Sequence, residues 1–199
     1  MKRTKLVIVK NRTSNTGAEV GASDLILAEE NLGVEVVETN VPSDEDLRLA
    51  TSLELIVSRV EAAAFHQSFE NAGPLYTIPV CEQLDEALKV PAVGYMNAQR
   101  FRSKFQERMA VHLNDIDALM MPTTLVTAPK VEESDQYLII LSRNCIPRSF
   151  RGFPVISVHA GLTSERLPVK RQFVGAPIDD GVILALSSAL ESVTEMPAP

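Results

Sequence analysis

Short runs of apolar, largely β-branched residues alternate along this chain with longer stretches in which apolar residues recur at helical spacing. A chain with that pattern is expected to fold in layers, because each strand run needs a helical cover to bury it. Leu6-Val7-Ile8-Val9 reads as a buried strand. Ala18, Ala22, Leu25, Ala28 and Leu32 follow at helical spacing before Gly33 supplies a stop, and Val34 to Val37 reads as a second strand. Strand, helix and strand within about 30 residues is the length of a βαβ crossover.

Beyond Pro42, Ser43 is a plausible N-cap for a long helix, with Asp44, Glu45 and Asp46 in the first turn where the helix dipole favours them. Leu49, Leu53, Ile56, Val60 and Ala64 make one apolar stripe on it, and Gly73-Pro74 ends the region. A helix is expected over Cys81 to Lys89. Another follows Pro91, with Ala98, Phe101, Phe105 and Met109 on one face. Asp117 to Met121 reads as a buried strand stopped by Pro122, and Asp135 to Arg143 as a short helix. Pro154 to His159 and Pro168 to Gly175 read as strands. A last helix capped by Asp179 or Asp180 places Val182, Ile183, Leu186 and Leu190 inside. The alternation predicts an α/β class, a mixed sheet covered by helices. Residues 1–193 form one lobe in this reading, and 194–199 a frayed tail.

Composition narrows the function classes. The 199 residues carry 19 Lys and Arg against 26 Asp and Glu, a net charge of −7, which argues against a nucleic-acid partner. Cys81 and Cys145 are the two cysteines, too few for a disulfide scaffold and without the spacing of a structural zinc site. The apolar stretch after Met1-Lys2-Arg3-Thr4-Lys5 is interrupted at Lys10, too early for a signal-peptide core, and no run is long enough to span a bilayer. A cytoplasmic setting with no membrane partner is expected.

Four stretches, in order, resemble the C-terminal half of the amidase signature family. They are Glu61-Ala62-Ala63-Ala64-Phe65-His66, Asp117 to Thr124, Gly152-Phe153-Pro154-Val155-Ile156-Ser157-Val158, and Leu167-Pro168-Val169 with Gln172-Phe173-Val174-Gly175. The resemblance runs over roughly residues 5 to 192, about the second half of a family member. It implies hydrolysis of a C–N amide bond, with no cofactor. In the family a serine nucleophile, a bridging serine and a lysine base lie in the first half, around a Gly- and Ser-rich stretch that this sequence does not contain. The pair Ser187-Ser188 sits on the terminal helix and reads as solvent-facing. No catalytic residue is therefore assigned. The sequence also departs from the family pattern. Its Gly-Leu-Pro-x-Gly segment is Arg166-Leu167-Pro168-Val169-Lys170, an Asn is replaced by Ser149, and a Pro by His159. The lost glycines leave the local backbone geometry there open.

Among residues that could carry chemistry, Cys145 needs His159 or His66 beside it to act as a nucleophile, and otherwise reads as an inert buried thiol. His66 and His112 read as core or boundary residues, and the three histidines lack metal-ligand spacing. Arg143, Arg148, Arg151, Arg166, Lys170 and Arg171 could meet an anion or form a solvated surface. Thr123 and Thr124, past a strand end, are the leading substrate-pocket candidates, joined by Gly152 and Phe153, which the resemblance places on the same cleft. The expected partners are a small amide substrate, given a catalytic half, and a second copy or partner subunit. The alternative is a non-enzymatic interaction or remnant protein that retains the lobe.

Overall fold

The computed structural model describes residues 5–9, 34–39, 42–68, 75–149 and 152–193. The expected helix over Ala18 to Leu32, the Gly73-Pro74 break and the 194–199 tail lie outside them. Five strands form one mixed sheet: β1 (Lys5–Val9), β2 (Glu35–Thr39), β3 (Ala118–Pro122), β4 (Val155–Leu162) and β5 (Pro168–Val174), in the spatial order β2-β1-β3-β5-β4. β1 pairs in parallel with β2 and with β3, as a crossover connection requires, while β5 runs antiparallel to both β3 and β4.

β3 is the middle of this sheet. Its Ala118, Leu119, Met120 and Met121 are all buried, the near-continuous apolar run expected of a strand covered on both faces. Ala118 and Met120 face one core with Val158, Ala160 and Phe173, closed by Ile183 and Leu190 of α6 (Asp180–Val193). Leu119 and Met121 face the other with Val174 and Phe153. That side is covered by Ala50 of α1 (Asp44–His66) and by Phe105, Met109 and Leu113 of α3 (Ala92–Leu113). The intervening α2 (Ile78–Leu88) opens three residues earlier than expected, because Thr77 takes the N-cap and Pro79 fits the first turn, where no amide donor is missed. A 3-10 turn (Val131–Glu133), α4 (Ser134–Ser142) and α5 (Ile146–Ser149) complete the described elements; the first and last have no periodic signature in sequence.

Ser43 caps α1 as expected. Its hydroxyl accepts from the Asp46 amide at 3.1 Å, and the Asp46 carboxylate accepts from the Ser43 amide at 3.2 Å. The stripe, however, is displaced. Leu47, Ala50, Thr51, Val57 and Ala63 are buried, whereas Leu49 is 45% exposed and Ala64 is exposed. Thr51 tolerates burial because its hydroxyl donates to the Leu47 carbonyl at 2.7 Å, so no polar atom is stranded. Ser187 uses the same device. It is buried, not solvent-facing, with its hydroxyl donating to Ile183 at 2.7 Å, while Ser188 is exposed. His112 is exposed on α3, because the buried line Phe105, Met109, Leu113 passes it by.

Candidate functional site

The C-terminal end of β3 carries the densest set of polar side chains tied to the sheet. Thr123 leaves β3 with its amide donating to the Lys170 carbonyl at 3.0 Å, and its hydroxyl lies 2.7 Å from that of Ser157 on β4. The register explains this. Met121, Gln172 and Ser157 stand side by side across β3, β5 and β4, so their side chains share a face. Two residues further on, His159 is paired with Lys170 on that same face. Thr124 spends its hydroxyl on the Val126 carbonyl at 2.8 Å, shaping its own loop.

The turn between α4 and α5 is stapled onto this end. The Asn144 side-chain amide donates to the Pro122 carbonyl at 2.9 Å, the Cys145 thiol to the Thr123 carbonyl at 3.3 Å, and the Gln172 side-chain amide to the Asn144 carbonyl at 2.9 Å. Asn144 and Gln172 are both buried, so these bonds replace water on groups that would be costly to bury bare. The thiol hydrogen is directed at a backbone carbonyl, which favours the inert reading of Cys145. His66 is half-buried, with Nδ1 2.7 Å from the Tyr76 hydroxyl and the two rings edge to face, as a satisfied boundary histidine should be.

Gly152 and Phe153 do not share this end. β3 and β4 are both antiparallel to β5, so they run in the same direction. The start of β4 therefore lies at the opposite end of the strands from Thr123. Gly152 is an exposed turn residue at φ +65°, a conformation that calls for glycine, though a Cβ there would meet nothing within 4 Å. Phe153 is buried in the core with Phe105 and Met109, where together with Pro42, Leu47 and Pro147 it lines a small apolar pocket on this other side. Both pairs sit at strand ends, but at opposite ones, because β3 and β4 run the same way.

The basic residues do not make one patch. Arg171 is buried on the α6 face, its guanidinium donating to Met120 Sδ at 3.0 Å, while Lys170, one step along the strand, is exposed on the other face. Arg166 lies in the β4–β5 loop at φ +62°, where its amide donates to the Thr163 carbonyl and the Thr163 amide to the Leu167 carbonyl, each at 2.9 Å. That is the left-handed position of a three-residue hairpin loop, which glycine favours. The arginine thus keeps the glycine-type backbone at a strain cost instead of changing it. The Arg148 side chain and Arg151 fall outside the described residues.

Chemically, the Thr123–Ser157 pair uses one hydroxyl proton internally and leaves the other for a third group. Among the described residues neither hydroxyl is bonded to a histidine, lysine or carboxylate that could activate it as a nucleophile. Ser157, Asn144 and Gln172 escaped the sequence reading. The one available signal was the alternation of Ser157 and His159 within an otherwise apolar strand. No group of three or more His, Cys, Asp or Glu side chains converges as metal ligands would among the described residues, and no described helix is long and apolar enough to cross a membrane.

Comparison with known proteins agrees with this fold. The Amidase family model matches residues 22–184, and the chain belongs to that family. A fatty acid amide hydrolase of Arabidopsis thaliana is 28% identical over 204 residues, covering 94% of this chain and 33% of the relative. The Kluyveromyces lactis allophanate hydrolase superposes with a TM-score of 0.80 at 20% identity, over 96% of this chain and 32% of that one. A crystal structure of an amidase superposes with a TM-score of 0.80 at 24% identity, over 98% of this chain and 46% of that one. The chain thus spans about a third of the length of the curated relative.

Proposed function

We propose that these residues are the C-terminal portion of an amidase-type hydrolase of the cytoplasm that cleaves C–N amide bonds. In this reading the chain supplies sheet, helical cover and part of the substrate pocket at Thr123 and Ser157. The nucleophile, base and oxyanion donors stand on a segment outside the 199 residues. The observation that carries it is the match over residues 22–184 together with a sequence that contains no Gly- and Ser-rich Ser-Ser stretch. Alone, the chain is expected to be inactive. It is expected to pair with a partner subunit or a second copy through surface that a whole amidase covers. Thr124, Gly152 and Phe153 become scaffold in this reading, shaping the loop and filling the core.

A second reading, an interaction or remnant protein that keeps the lobe without chemistry, draws on the replacement of family glycines by Arg166 and Lys170. Co-expression with the segment encoded directly upstream separates the two. Hydrolysis of simple amides by the pair, dependent on a lysine and a Ser-Ser stretch in that segment, supports the amidase reading. A pair that forms a stable complex without hydrolysis supports the second.

A further inference from the structure

Three departures from the amidase pattern, scattered in sequence, meet at one end of the β4–β5 hairpin. His159 stands directly across from Lys170 in the antiparallel register, and Arg166 lies in the loop that joins the two strands. Cross-strand partners of this kind hold their Cβ atoms about 5 Å apart. Both side chains share the face of Ser157, and the Lys170 carbonyl is the acceptor for the Thr123 amide at 3.0 Å. Of the three, His159 and Lys170 lack a protein partner among the described residues. His159 Nε2 is shielded from solvent and has no hydrogen-bond partner among the described residues. Lys170 is exposed, and no ion pair reaches its ammonium among the described residues. A shielded ring nitrogen without a partner forgoes a hydrogen bond, and an uncompensated cation beside it adds a field that favours an anion.

We propose that His159 and Lys170, with the Thr123–Ser157 hydroxyl pair, form a subsite that selects amide substrates carrying a carboxylate. The proposal rests on the amidase reading and names the substrate class for it. Lys170 compensates the carboxylate charge. The hydroxyl proton not used between Thr123 and Ser157 donates to one carboxylate oxygen. In its Nε2–H tautomer, with the ring turned to bring that shielded nitrogen outward, His159 donates to the other oxygen, and that nitrogen has no existing bond to break. Proline and glycine, the residues of the family pattern at these two positions, offer neither charge nor a side-chain donor.

The test titrates the 199-residue chain with succinamate, an amide bearing a carboxylate, and with its neutral counterpart succinamide, following the histidine and Thr123 resonances by NMR. Succinamate is expected to bind saturably, at least about threefold tighter than succinamide, with the difference shrinking as salt is added. Lys170→Gln should bring the two ligands together, Lys170→Arg should keep the preference, and His159→Gln should weaken succinamate alone. Each variant's thermal unfolding identifies any loss of fold, and the charge-retaining Lys170→Arg provides the folded reference. Equal binding of the two ligands to the wild-type chain overturns the anion subsite while leaving the amidase reading in place. Absence of a saturable succinamate response also overturns it, and the co-expression assay then judges the amidase reading separately.

Discussion

The hydroxyls of Thr123 and Ser157 meet at 2.7 Å although the residues are 34 positions apart in the chain and β5 lies between their strands. The contact reports that the β3–β5–β4 alignment is held past the end of β3. Replacing Thr123 by Val and Ser157 by Ala, singly and together, should show a coupling of about 0.5 to 1 kcal/mol in a urea-unfolding double-mutant cycle. Strict additivity would mean that the pair does not form in solution.

Among the described residues two non-glycine residues hold left-handed backbone, and both should be improvable. Arg166 occupies the glycine position of its hairpin loop. Ile178, 96% exposed at φ +69°, follows Pro177 in a turn closed by the Asp179 amide on the Ala176 carbonyl at 3.1 Å. Arg166→Gly and Ile178→Gly should each stabilise the chain by about 1 kcal/mol, raising the melting temperature by roughly 2 to 4 °C, part of the strain relief being offset by the freer unfolded chain. A lowered melting temperature for both would show that these turns are not strained.

Acid stability should have two opposing carboxyl contributions. Burial alone would raise the Asp46 carboxyl. Bonds from the Ser43 hydroxyl and backbone, and from Arg108 at 2.8 and 2.9 Å, outweigh it and hold the group below its ordinary 3.8. Its stabilising contribution is therefore present above 3.8 and lost as pH falls through the lowered value. Glu54 is pushed above its ordinary 4.5 by burial, against the Ser58 hydroxyl bond and Arg102, so its protonation favours the folded state as pH falls. Urea unfolding across the range that brackets these two values should show Asp46→Asn flattening the low-pH loss. Glu54→Gln should remove the gain that precedes it. Arg108→Ala should cost only about 0.5 kcal/mol at neutral pH, because the guanidinium is largely exposed.

Self-association should occur. Val131, Leu138 and Ile139 project from the 3-10 turn and α4 into solvent, and the sheet order leaves β2 and β4 at its edges among the described strands. Sedimentation over a concentration series should show species above 21.8 kDa, and the double change Leu138→Lys with Ile139→Lys should reduce them. A single 21.8 kDa species at every concentration would mean that this surface is not adhesive.

What could be read in sequence was whatever depends on local pattern. The β3 run from Ala118 to Met121, the Ser43 cap and the α3 line through Ala98, Phe105 and Met109 all stand as read, because each is decided within a few neighbouring residues. The α1 stripe was displaced because that helix answers to both the sheet and α3, and satisfied hydroxyls such as that of Thr51 make polar residues acceptable inside. The polar end of β3 was half visible. Thr123 could be singled out by its place after a strand, but its partners come from another strand, Ser157, and from the α4–α5 turn, Cys145, and that pairing depends on strand direction and tertiary packing, which one-dimensional periodicity does not encode.

In the proposed reading these residues contribute fold and pocket wall, and the amide-cleaving groups stand elsewhere. Ammonia release from simple amides by the highly purified 199-residue chain tests this most directly. The prediction is no release above the protein-free rate, unchanged in Cys145→Ala. Release that survives purification and disappears in Cys145→Ala would contradict it and place a thiol nucleophile within the chain.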